Sequence, residues 1–65
     1  MLFKTIVQPK VDVDELVIIK LMEGTRVAGI VDKIDKDYIW LRASKDKNSH
    51  VEKFNLKVDQ VIKMN

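Results

Sequence analysis

One glycine stands inside an apolar alternation, where it weakens a strand unless the chain needs it. In "RVAGIVDKI", Arg26–Ile34, Gly29 lies between Val27 and Val31 on one phase, while Ala28, Ile30 and Ile34 take the other. A strand-interior glycine marks a sharp bend or a close approach of another backbone. Both faces of this segment are partly apolar, which suits a strongly curved strand in a small fold. The only other glycine, Gly24, follows Glu23 in "EGT" and reads as a turn position needing φ > 0. Neither belongs to a phosphate loop, because no GKS or GKT follows and no strand-to-helix junction is indicated.

The remaining elements follow from period and turn residues. "LVIIKLM", Leu16–Met22, is β-branched and free of Gly and Pro, so it reads as a largely buried strand. A helix over "VDVDELVIIKLM", capped by Asp14, loses to the strand preference of Val13, Val17, Ile18 and Ile19 and to the stop at Gly24. After the turn "DKD", "YIWLRA" alternates Tyr38, Trp40 and Arg42 against Ile39, Leu41 and Ala43. "SKDKNS" is a polar connection to a fourth strand, "HVEKFNL", where a bulge reconciles the phases of Val51 and Phe54. "KVDQ" is expected to make a short 3₁₀ turn before a last strand, "VIKM". Residues 1–15 form an N-terminal extension or an extra strand over residues 2–8 that Pro9 ends, and residues 16–65 the domain itself. Five short strands with little helix predict an all-β, SH3-like or OB-like small barrel.

Composition narrows the function classes. A domain of 65 residues buries only about 60% of its unfolded surface, and with no cysteine neither disulfides nor thiolate metal sites reinforce it. Oligomerisation or complete strand pairing is then the expected support, and the cytoplasm the expected setting. The N-terminus lacks a signal-peptide pattern, and the longest apolar run, Leu16–Ile19, is far below the roughly 20 residues that span a bilayer, so no membrane role is expected. Net charge is +2, distributed as −1 over residues 1–35 and +3 over residues 36–65. With one histidine, His50, and Ser44 and Ser49 reading as turn residues, neither a nucleophile–base pair nor a ligand set for a metal can be assembled. No enzyme and no cofactor is expected.

The spacing Leu21, Gly24, Val27, Gly29, Val31, Ile34, Asp35, continued by Ile39 and Leu41, resembles the first motif of the Sm-like proteins, including the Hfq type. "FNLKVDQVIKM", with Val58 and Val61, resembles more weakly their last two strands. The resemblance implies a five-stranded, strongly bent barrel that binds single-stranded RNA and pairs its fourth and fifth strands between subunits. The residues that would touch RNA depart from the family: Ile39 stands at the base-contacting asparagine, and Asn55 and Leu56 at the lysine–histidine pair.

Two functions from different classes are therefore weighed. In the first, an accessory or regulatory RNA-binding protein, Tyr38 and Trp40 stack on unpaired bases while Lys36, Arg42, Lys45, Lys47 and Lys53 follow the phosphates, with Gly24, Gly29 and Asp35 structural. Asp35 would hold "DKDY" as a turn, and Asp32 and Asp37 would form a charged rim with Lys33 and Lys36. In the second, a non-catalytic interaction barrel self-associates or docks to a larger complex through "HVEKFNL" and "VIKM", with Trp40 in a core or interface.

Overall fold

The computed structural model describes residues 8–63, which fold as one antiparallel sheet. Its strands are β1 (Leu16–Lys20), β2 (Arg26–Ile34), β3 (Tyr38–Arg42), β4 (Val51–Asn55) and β5 (Gln60–Lys63). They lie in the order β4-β3-β2-β1-β5. Residues 2–7 of the expected extra strand fall outside the described part, and Gln8 is not in a strand. The first strand is shorter than expected because the chain turns at once: the Leu21 N–H bonds the Thr25 carbonyl at 2.7 Å and the Gly24 N–H bonds the Leu21 carbonyl at 2.8 Å. Gly24 takes φ 102° in that turn, a conformation that costs a Cβ-bearing residue energy.

The barrel expected from the resemblance is not formed. The sheet is open, with β4 and β5 its two unpaired edges, so the architecture is neither Sm-like nor an SH3-like barrel. Two local features occupy the groups that closure would need. The Asn55 carbonyl, at the end of β4, accepts from the N–H groups of Val58 (3.2 Å) and Asp59 (2.9 Å), and the Val61 N–H, in β5, donates to the Gln8 side chain at 2.7 Å.

One face of the sheet carries the core: Val17, Ile19, Val31, Ile39, Leu41, Phe54 and Val61 are buried. No second sheet or described helix covers them; instead Val11 from the N-terminal segment, Leu21, and Leu56 from the β4–β5 turn pack against the cluster. Val17, Ile19, Val31 and Ile39 are fully buried, and each such side chain contributes about 1.5–3 kcal/mol relative to exposure. Ile39, at the position of the family's RNA-contacting asparagine, is thus a core residue.

The expected bulge lies in β2 rather than β4. Val31 pairs with Leu41 and Lys33 with Trp40, so Asp32 is the extra residue. Beyond it the phase of β2 inverts, and Ile34 packs on the same core as Val31. β4 itself runs in unbroken register against β3.

Gly29 occupies a crowded crossing. A Cβ built there would lie 2.9 Å from the Leu41 Cβ, closer than real Cβ atoms approach, and a tight 3.1 Å from the Arg42 carbonyl oxygen. The position forbids a side chain sterically, without any unusual φ. Gly29→Ala should therefore lower stability by about 1–3 kcal/mol in urea unfolding, with Gly29→Val lower still. An unchanged midpoint for both variants would show that the crossing is slack.

Candidate functional site

The face opposite the core holds the expected aromatic pair. Trp40 and Tyr38, two apart on β3, project to this side, with ring centroids 6.1 Å apart and planes tilted by 50°. The register brings cations over them: Lys33 pairs with Trp40 from β2, and Lys53 pairs with Trp40 from β4. The Lys33 Nζ sits 4.7 Å from the Trp40 centroid, and the Lys53 Nζ 4.0 Å from the Tyr38 centroid and 5.5 Å from that of Trp40. Such contacts stabilise by about 0.5–1 kcal/mol at exposed sites. The ring faces are already in use, and a stacking base would have to displace both ammonium groups.

Arg42, expected on the phosphates, is instead 3% exposed and bound to protein. Its Nη1 donates to Asp32 Oδ1 at 2.9 Å and its Nη2 to Asp14 Oδ1 at 2.7 Å. The bulge presents Asp32, and a left-handed backbone at Asp14 (φ 72°) presents the second carboxylate. Asp and Asn adopt that conformation more readily than other side chains. The hydrogen bonds to the two carboxylates, Asp14 first, raise the Arg42 pKa, and the same bond holds Asp14 below its ordinary value.

The other expected site residues scatter. Lys45 and Lys47 are exposed beside the Arg42–Asp14 cluster, Lys36 is exposed in the β2–β3 turn, and only Lys53 joins the aromatic pair. Asp35 has a structural place: Oδ1 accepts the N–H groups of Asp37 (2.9 Å) and Tyr38 (2.8 Å), bonds that lower its pKa. His50 is exposed, with Nε2 3.9 Å from Glu52 Oε1. With the barrel absent and Arg42 bound within the chain, the Sm-like RNA-binding reading is corrected.

What the arrangement does provide is an asymmetric pair of sheet edges. Antiparallel pairing alternates inward and outward backbone groups. The bonds Ala43 N–H to His50 C=O (2.9 Å) and Leu56 N–H to Asp37 C=O (2.8 Å) fix the phase on β4. Glu52 and Phe54 therefore turn their backbone groups to β3, and Val51, Lys53 and the Asn55 N–H turn theirs outward. No described residue pairs with that edge. On β5 the outward Val61 N–H is taken by Gln8 Oε1, while Gln8 Nε2 donates to the carbonyls of Leu56 (3.1 Å) and Asp59 (3.0 Å).

Beside the open edge, on the core side, a cavity of about 130 Å³ is lined by Val27, Leu41 and Phe54, with Glu52 and His50 at β4. It is open to solvent at its rim, where His50 and Glu52 are exposed.

Comparison of the chain with protein-family models, curated proteins and solved structures finds no match. Among the described residues no group of histidine, cysteine or carboxylate side chains is placed to hold a metal, and no helix is long and apolar enough to cross a membrane.

Sequence reasoning found Tyr38, Trp40 and Lys53 but missed Lys33, Gln8 and the carboxylate partners of Arg42. For Arg42 a signal exists. Val31 and Ile34, both apolar and three apart, cannot share a face without an extra residue between them, and that residue is Asp32 or Lys33.

The carboxylates give a pH prediction. Asp14, Asp35 and Glu15 are all held below their ordinary values, Glu15 by the Asp12 backbone N–H and by Lys63. The unfolded chain then binds protons more readily than the folded one, so the stabilisation is full above about pH 4–5 and is lost as pH falls through the folded values. Urea midpoints should be level between pH 5 and 7 by this argument and drop below about pH 4, with a shallower drop in Asp35→Asn. A midpoint equal at pH 6 and pH 3 would contradict it.

Proposed function

We propose that this chain is a protein-interaction module that docks to a partner by accepting an extended segment as a sixth strand on the outer edge of β4. The observation that carries the reading is the row of outward backbone groups on Val51, Lys53 and Asn55, which no described residue satisfies. An unpaired edge is a template for strand addition, a recurrent mode of peptide recognition in which main-chain bonds supply affinity.

Two features favour a different protein over a second copy. Pairing of β4 with the β5 of another copy is opposed by Gln8, which already holds the Val61 N–H. Antiparallel pairing of β4 with another β4 is opposed by charge in two registers, the one that overlaps the whole strand setting Lys53 against Lys53 and a shift toward its start setting Glu52 against Glu52, while a shift toward its end needs the Asn55 carbonyl that Val58 and Asp59 already occupy. Like charges directly opposite are destabilising.

The module needs no chemistry of its own. Four of its ten acids are engaged in structure: Asp14 and Asp32 on Arg42, Asp35 in its turn, and Glu15 on Lys63 at 3.0 Å. A chain folded without cysteine also suits the cytoplasm.

The test uses one variant whose fold should survive. The Lys53 N–H points away from β3, so Lys53→Pro removes an outward donor without breaking the ladder, the setting in which edge strands tolerate proline. Lys53→Thr removes the ammonium but keeps the donor. Peptides selected from a random library against the wild-type chain should bind Lys53→Thr and fail on Lys53→Pro, and should slow hydrogen exchange at the amides of Val51 and Lys53. Peptides that bind both variants equally, without protecting those amides, would refute strand addition.

A further inference from the structure

Resting on the strand-addition reading, the geometry points to a partner of defined chemistry: an extended segment that alternates acidic and bulky aliphatic residues. The acids would lie on the aromatic side, and an aliphatic side chain would enter the cavity at Val27, Leu41 and Phe54. The two faces of β4 differ, and a strand added beside it inherits that difference, because successive side chains point to opposite sides.

On the aromatic side, the nearest β4 side chains are Val51, Lys53 and Asn55. Lys53 lies over the Tyr38 ring, and Lys33 reaches Trp40 from the other flank. A ring face occupies only part of an ammonium group, which keeps donors for a carboxylate. Asp14 and Asp32 are bound to Arg42, and Asp35, the acid that feels both Lys33 and Lys53, commits its Oδ1 to the N–H groups of Asp37 and Tyr38 and forms no ion pair with either lysine. A carboxylate opposite Lys53 therefore meets two lysines that Asp35 offsets only in part, and a lysine there finds repulsion.

On the core side, the inward row of β4 is Glu52 and Phe54, and both line the cavity of about 130 Å³ together with Val27 and Leu41. A side chain on an added strand stands next to that row. The lining is mostly apolar, and Glu52 stands exposed at its outer rim, its Oε1 3.9 Å from His50 Nε2. A leucine or isoleucine fills such a space, whereas alanine leaves it empty.

The experiment titrates the isotopically labelled full chain with four blocked synthetic peptides and follows the amides of β4 and β5 by NMR. The first alternates leucine and glutamate over seven residues. The second replaces glutamate by lysine, the third replaces leucine by alanine, and the fourth N-methylates the residues whose N–H groups would face β4. The glutamate peptide should saturate with shifts centred on Val51, Lys53 and Asn55. The lysine peptide should bind about fivefold more weakly, a gap that closes as salt is raised. The alanine peptide should bind about tenfold more weakly, and the N-methylated one not measurably. Lys53→Glu should reverse the preference between the glutamate and lysine peptides.

Equal binding of the glutamate and lysine peptides, with β4 amides still perturbed, would overturn the acidic partner while leaving strand addition standing. Equal binding of the alanine peptide would overturn the anchor. Binding that ignores N-methylation, or shifts confined to Val61 and Lys63, would overturn this inference and the strand-addition reading together.

Discussion

The guanidinium of Arg42 holds together three pieces of chain that would otherwise be independent. It projects from β3 and donates to Asp32 in the bulge of β2 and to Asp14 in the turn that precedes β1. A lysine could not bridge two carboxylates in this way, because it lacks the planar fork that presents separate donors to each. That turn is also tied by backbone: the Asp14 N–H bonds the Val31 carbonyl at 2.7 Å and the Val31 N–H bonds the Glu15 carbonyl at 2.9 Å. With residues 12–15 fixed, the segment before them can carry Val11 onto the core and Gln8 across to β5. The inequality of the two sheet edges thus depends on an ion-pair cluster on the opposite side of the sheet.

The strand pattern was largely legible because the chain alternates cleanly and punctuates with turn residues. "RVAGIVDKI" corresponds to β2 from end to end, and the crowding at Gly29 is the close approach that an interior glycine advertises. The closure of the sheet was not legible. Periodicity reports which face of a strand is apolar, but whether two edge strands pair depends on what else reaches their backbone groups. Here a turn folds on the Asn55 carbonyl, and one glutamine side chain, 53 residues from Val61 in sequence, takes the donor on β5. Nothing in the composition of "VQPK" signals that contact.

The site shows the same division. Tyr38 and Trp40 alternate with core residues, and their position on the outer face follows from that. Their lysine cover depends on register, which a one-residue bulge shifts. Without the bulge, Asp32 rather than Lys33 would pair with Trp40, and the ring would face an acid. Arg42 was misread for a related reason. Its phase correctly put it on the outer face, but only the tertiary positions of Asp14 and Asp32 convert an exposed cation into a buried, neutralised one.

The edge asymmetry also limits what the molecule can build. A chain offering two mutually complementary edges adds copies head to tail, and unless the rotation closes, the product is an open filament. Natural sheets counter this hazard with charged residues on the edge or by covering it. This fold uses both, one on each side: Gln8 covers β5, and β4 carries Glu52 and Lys53 where self-pairing would align like charges. Covering removes an edge from recognition altogether, whereas charge removes it only from partners of the wrong pattern. On the proposed reading, the charges of Glu52 and Lys53 that disfavour two of the β4–β4 registers are also the ones that a complementary strand would meet.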